Sequence, residues 1–466
     1  MTIKHLGLCL LSFFVVIHTA MAQLRLPNFF SDHMVLQRNT ELNFWGWGGA
    51  NRQIKVIGSW FQDTVKTRVD YNGKWAVKLP AGKAGGPYTL KVISNETETL
   101  ELSDILLGDV FLCSGQSNME WGGNQNLKEI MDELPSANNP QIRFLQASRV
   151  AASNPQENLP NSWTTLSAET LKPFSAIGYF IAKEINKEIN VPIGVINASW
   201  GGTGAEVWTP NHLIVNDPFL LKYAKMQDIN NYRPYEGGVL WNSMVHPYAG
   251  YNLTAAYWYQ GESNVGYYPS YDKLMKTLIG SWRAAWNQEF PFYFVQIAPF
   301  AYNSKDGPKA AYLRELQAKT AVEMPKTGMV VITDLVDNIK DIHPVQKKAV
   351  AKRLSDMTLA EVYDRPIKEY KSPIYKSHVV KGNQIEVSFY YVEDGLKAKG
   401  PISELFIAGE DMQFHPAQGS IQGNKLLVSA KEVKNPVAVR FGFTETAMPN
   451  LFNSKGLPVS PFRTDK

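Results

Sequence analysis

The sequence predicts an α/β protein: a doubly wound, parallel-sheet domain flanked on each side by a β-sandwich-like module. Three observations predict it. Apolar runs alternate with helical stretches from about Ile105 to Arg365, short period-two segments broken by turn residues precede them, and β-like runs return after Pro373.

The first residues read as an export signal. Lys4 supplies a positive start, Leu6 to Ile17 form an apolar run too short to span a bilayer, and Ala20-Met21-Ala22 gives a small-x-small cleavage pattern. The expected mature chain begins at Gln23 and is periplasmic or secreted, with no membrane span. Of the 2 cysteines, Cys9 leaves with the signal and Cys113 remains, so no internal disulfide is possible. Stability must come from a large core. Lys and Arg number 47 against 43 Asp and Glu, with no basic block or stripe, which argues against nucleic acid as a partner. The 12 Trp suit stacking on sugar rings and suit β-domain cores equally well.

From residue 23 to 104, segments such as Leu42 to Trp47, Gln53 to Ile57 and Tyr88 to Ile93 alternate in period two. Asn72-Gly73 and Ala81-Gly82 mark turns between them, as in a small antiparallel sandwich. From residue 105 to 370, the expected strands are Val110 to Cys113, Ile193 to Ala198, Ala255 to Tyr259, Phe292 to Ile297 and Met329 to Thr333. Their continuous apolar character fits strands buried on both faces. The expected helices are Ile177 to Ile189, Tyr271 to Trp286, Lys309 to Glu323 and Pro344 to Val362, the last with Pro344 in its first turn. Ligands of such a sheet bind at the carboxyl ends of its strands. Residues 371 to 466 read as a second β-rich module, separated into strands by Asn383, Gly395, Gly423-Asn424 and Pro436.

Four constellations follow those strand ends. Cys113-Ser114-Gly115-Gln116-Ser117-Asn118-Met119-Glu120 places Ser117 at a sharp turn, where its hydroxyl can stand above the sheet; equally, Ser117 can simply cap the next helix. Lys340-Asp341-Ile342-His343-Pro344 offers a histidine base, or else a surface His beside a helix-capping Asp341. Ser199-Trp200-Gly201-Gly202-Thr203 can bring a backbone N–H close to a ligand. In Trp258 to Asn264, Gln260 or Asn264 can donate a side-chain amide. No H-x-H, H-E-x-x-H or cysteine cluster offers metal spacing, and no cofactor is implied.

Together these segments resemble the sialate O-acetylesterase family of the SGNH/GDSL hydrolase superfamily, with its acetylxylan esterase relatives. The matching pieces are Gly115 to Asn118, Ser199 to Thr203, Tyr259 to Glu262 and Asp341 to Pro344. Leu240 to Pro247 and Leu26 to Gln37 extend the likeness, which is weakest past Pro373. The resemblance implies an SGNH-like hydrolase domain that removes O-acetyl groups from carbohydrate without a metal. Ser117 is then the nucleophile and His343 the general base. The backbone N–H groups of Ser117 and of Gly201 or Gly202, with Gln260, form the oxyanion hole. Gln116, Asn118, Trp200, Glu262 and Trp208 are expected at the substrate. One departure concerns the orienting acid: the superfamily places it three residues before the histidine, where Lys340 stands here. Asp341 is the nearest substitute, with Asp334 and Asp337 reachable through the fold. In an extended loop Asp341 and His343 point to opposite sides, so either the loop turns or a backbone carbonyl orients the imidazole. Other readings are an acetylxylan esterase, a glycosidase using two of Glu120, Glu206 and Glu262, and a non-catalytic glycan binder.

Overall fold

The computed structural model describes residues 23–229, 232–305 and 307–465; the expected export signal, residues 1–22, lies outside them. The central sheet is built from strands β1 (Glu98–Gly115), β2 (Ile142–Gln146), β3 (Ile193–Ser199), β4 (Ala255–Tyr259), β5 (Phe292–Val295) and β6 (Thr327–Val330). Their order across the sheet is β6-β5-β4-β1-β3-β2, every neighbouring pair parallel. Thr164–Thr165 adds a short antiparallel edge beside β2.

Alternate residues of β1 face opposite layers. Phe111 and Cys113 pack with helices α1 (Ala176–Ile189) and α2 (Lys347–Glu361), while Val110 and Leu112 lie in the core with α3 (Tyr271–Trp286) and α4 (Lys309–Glu323). Both faces are thereby covered, and the apolar runs are buried as a parallel sheet requires. Cys113 is a free, buried thiol whose pKa burial pushes up.

β1 also links the expected N-terminal module to the central sheet. Its first half pairs antiparallel with Gly85–Ser94 and its second half pairs with β3 and β4, so the N-terminal sheet runs straight into the central one. The change of module expected at residues 104 and 105 therefore falls within a single strand. The rest of the N-terminal region comprises Val35–Gln37, which pairs parallel with β1, together with Gln53–Gly58, Val65–Arg68 and the ribbon of Glu41–Trp47 with Lys74–Pro80. The C-terminal region has its own core, with Ile385, Val387, Ile407, Val428, Val439 and Phe441 between two four-stranded antiparallel sheets.

Helix α2 begins at Lys347 and not at Pro344; residues between His343 and Lys347 remain irregular, closed by a Lys347 N–H bond to the Val345 carbonyl. Among the described residues no helix is long and apolar enough to cross a membrane.

Candidate active site

The turn that carries Ser117 is fixed by backbone. Gly115, the last residue of β1, has φ +133°, and a Cβ there would lie 2.2 Å from the Tyr259 carbonyl oxygen of β4. Only glycine fits this approach. The Gln116 N–H then donates to the same Tyr259 carbonyl, and Ser117 opens a short helical turn, Ser117–Glu120.

Across the turn, His343 Nε2 lies 2.9 Å from Ser117 Oγ. The imidazole stacks on Trp121, ring centroids 3.9 Å apart and planes 19° apart. Asp341 Oδ1 accepts the His343 backbone N–H at 2.9 Å and stands 3.5 Å from its Nδ1. The loop achieves this by turning, with the Asp341 N–H donating to the Asn338 carbonyl. The other two acids are engaged elsewhere: Asp334 pairs with Arg353, and Asp337 accepts from Gln346. The His343 pKa lies below its ordinary value because burial disfavours the imidazolium and Lys347 repels it; Asp341 acts in the opposite sense.

The loop after β3 lies against this pair, since a side chain on Gly201 would stand 3.3 Å from Ser117 Cβ. The Gly201 N–H is held by Glu120 Oε2 at 2.6 Å, and Glu120 is paired with Arg149. Among the described residues the backbone N–H groups of Ser117 and Gly202 have no acceptor. Trp200 is half-buried and lines a pocket of about 330 Å³ with Tyr232, Arg233, Tyr235 and Val239.

Several residues expected at the substrate are turned inward instead. Gln260 is fully buried; its Nε2 donates to the Thr203 carbonyl and to Asn264 Oδ1, leaving no amide for an oxyanion. Asn264 is likewise buried and bound to Glu206, whose pKa burial raises. Gln116 Oε1 accepts the N–H groups of Gly261 and Ser263, so it ties two loops together. Asn118 donates to Glu262 Oε1 at 2.6 Å and to the Ile342 carbonyl at 3.0 Å, and both side chains are buried. Trp208 is a core residue, its indole N–H on Thr203 Oγ1 and its ring edge against Trp258. The physical reason is common to all six. A polar or aromatic residue in a loop beneath a site gains more from satisfying buried backbone and side-chain groups than from facing solvent.

Two neighbours of the pair carried no motif. Trp121 was hidden as the residue after the Gly115–Glu120 segment. Lys347 did leave a trace, because it continues the buried stripe Val350, Ala351 and Leu354 of helix α2 at helical spacing, where an apolar residue belongs. Among the described residues no group of three or more His, Cys, Asp or Glu is arranged to hold a metal.

Residues 107–363 match the family model described as carbohydrate esterase, sialic acid-specific acetylesterase. Human sialate O-acetylesterase is 26% identical over 485 residues, covering 94% of this chain and 92% of that one. The rat sialate O-acetylesterase is 28% identical, covering 76% of each chain. A crystal structure of a carbohydrate acetylesterase from Xanthomonas citri superposes with a TM-score of 0.87 at 34% identity, covering 95% of this chain and 100% of that one. The protein is thus a carboxylic ester hydrolase acting on carbohydrate. It belongs to the sialic acid-specific acetylesterase family of carbohydrate esterases.

Proposed function

We propose that this chain is an exported serine esterase that removes O-acetyl groups from sialic acid through Ser117, His343 and Asp341. The observation that carries the reading is the 2.9 Å contact between His343 Nε2 and Ser117 Oγ at the carboxyl end of the sheet. Ser117 Oγ attacks the acetyl carbonyl carbon while its proton passes to His343 Nε2. The tetrahedral oxyanion collapses, the C–O bond to the sugar breaks, and His343 returns the proton to the departing alkoxide. Water, deprotonated by His343, then hydrolyses the acetyl-enzyme to acetate. Asp341 holds the Nδ1–H tautomer and steadies the imidazolium. The backbone N–H groups of Ser117 and Gly202 receive the oxyanion, because Glu120 occupies that of Gly201. The sugar lies in the pocket lined by Trp200 and Tyr235, aromatic residues of the kind that stack on pyranose rings.

In this reading residues 105–370 form an SGNH-type, doubly wound catalytic domain, with residues 23–104 and 371–466 as its flanking modules. Residues 1–22 direct export and are removed. The enzyme needs no metal.

Turnover of p-nitrophenyl acetate, abolished in Ser117→Ala and undiminished in excess chelator, is the expected result. Equal turnover in both proteins refutes the serine mechanism. Acetate release from O-acetylated sialic acids beside acetylated xylan decides the substrate: faster release from xylan overturns the sialate assignment while leaving the esterase intact.

A further inference from the structure

Directly behind the catalytic pair lies a buried polar cluster that the acyl-transfer chemistry does not use. Lys347 is only 1% exposed, and its Nζ donates to Asn118 Oδ1 at 2.6 Å. It also stands 5.5 Å from the centre of the Tyr259 ring. Asn118 passes the contact on in two directions, to Glu262 Oε1 and to the carbonyl of Ile342. Three buried oxygens here have no hydrogen-bond partner: Glu262 Oε2, Tyr259 Oη and Tyr302 Oη.

This arrangement is costly. A buried ammonium pays for desolvation, and Lys347 is the first residue of helix α2, where the helix dipole presents its positive end. An apolar residue would satisfy the buried stripe of the helix better. The placement calls for a role that an apolar residue lacks, and the chain neighbours of its partners identify one. Asn118 directly follows Ser117, and Ile342 directly precedes His343.

We propose that Lys347 is a positioning residue for the catalytic pair: anchored in helix α2, its ammonium fixes the Asn118 amide, which locks the Ser117 turn to the His343 loop. The proposal rests on the Ser117–His343 reading above. Asn118 Oδ1 can accept from the ammonium only when Nδ2 faces Glu262 and Ile342, so Lys347 sets the orientation of the amide. The two reacting groups, 226 residues apart in the chain, are then held by one side-chain amide between their immediate neighbours.

The charge has a second effect. Burial lowers the Lys347 pKa to about 7 against the opposing influence of Glu262, Glu129 and Asp341. Lys347 is therefore protonated over the more acidic range in which His343 titrates, and its charge opposes the imidazolium there.

The test compares Lys347→Met and Asn118→Ala with the full-length wild type, using p-nitrophenyl acetate from acid to neutral pH. Loss of turnover in Ser117→Ala serves as the separate check on the serine mechanism. Both variants break the lock, so each is expected to lose kcat by about 10²-fold with KM unchanged, the usual cost of a misplaced reacting group. In Lys347→Met the acid limb of kcat/KM also moves to higher pH, because His343 loses its cationic neighbour. In Asn118→Ala that limb does not move upward, since the ammonium remains. A purely structural role would lower Tm and leave kcat and the limb unchanged below Tm. Normal kcat in either folded variant, or an unmoved limb in Lys347→Met, overturns the proposal. Should Lys347→Met not fold, Asn118→Ala decides alone: a normal kcat refutes the lock, and a 10²-fold loss at unchanged KM supports it.

Discussion

Ser117 and His343 meet at one hydrogen bond, yet opposite kinds of structure hold them. Ser117 is placed by backbone: β1 sits in the middle of the sheet, Gly115 presses against β4, and the Gln116 N–H closes on the Tyr259 carbonyl. His343 sits on the irregular stretch between β6 and α2, placed by side chains: Trp121 against its ring, Asp341 behind it, Asn118 on the preceding carbonyl. A backbone-held group tolerates no change at its few contacts, whereas a side-chain-held group loses alignment in increments.

That contrast makes Gly115 the most sensitive position outside the reacting groups. Gly115→Val must displace the Tyr259 carbonyl, which a Cβ would meet at 2.2 Å, and so part β1 from β4. The expected outcome is loss of folded protein, or a kcat reduced on the order of 10²-fold or more in whatever folds. Thermal unfolding and p-nitrophenyl acetate turnover measure it. A variant with wild-type Tm and kcat would show that Ser117 does not depend on that approach.

On the His343 side, Asp341→Asn is the sharpest probe. Asn can still accept the His343 backbone N–H and so keep the turn, but it removes the charge facing Nδ1. The serine-protease precedent loses on the order of 10⁴-fold in kcat for such a change. There the carboxylate is buried, whereas Asp341 is 51% exposed and 3.5 Å from the ring. A loss of about 10²- to 10⁴-fold is therefore expected. Near-normal kcat beside an inactive His343→Ala would mean a Ser117–His343 dyad.

The same contrast explains what the sequence disclosed. The strand-end motif singled out Ser117 because the strand, the glycine and the serine are contiguous. The central strands were legible for the same reason: their runs of apolar residues report burial directly. Which way a loop side chain points depends on partners far away in the chain. Asn118 meets Glu262 across 144 residues and Lys347 across 229, so nothing local separated it from a substrate contact. Gln260 and Gln116 turned inward for the same reason, Gln260 toward Thr203 and Gln116 toward Gly261 and Ser263. The orientation of Asp341 hinged on a turn, and residues 338 to 341 carry no glycine or proline to mark it. Continuity of β1 through the expected module boundary was equally hidden, because Ser103-Asp104 and Gly108-Asp109 are turn-type residues that the strand nonetheless runs through.

The smallest expected effect bears on how Trp121 holds the His343 imidazole. Burial is the largest cause of the lowered His343 pKa, with repulsion by Lys347 next; Asp341 pulls the other way. In the proposed mechanism His343 must be neutral to accept the Ser117 proton, so kcat/KM is expected to fall as pH drops through that pKa. Because the pKa lies below the ordinary 6.5, the wild type keeps more than half of its plateau kcat/KM at that pH. Trp121 covers one face of the imidazole, and Trp121→Ala admits water to it. Solvation favours the imidazolium, the pKa rises, and the acid limb moves to higher pH. On the plateau, where His343 is neutral in both proteins, the loss is limited to alignment. A lost ring contact of about 0.5–1.5 kcal/mol corresponds to a fall of roughly 2- to 12-fold in kcat/KM. The pH profile of kcat/KM for the two proteins separates these effects. An unmoved limb with a lowered plateau would leave Trp121 as a support for the ring alone, and the low pKa would then belong to the rest of the buried surroundings and to Lys347.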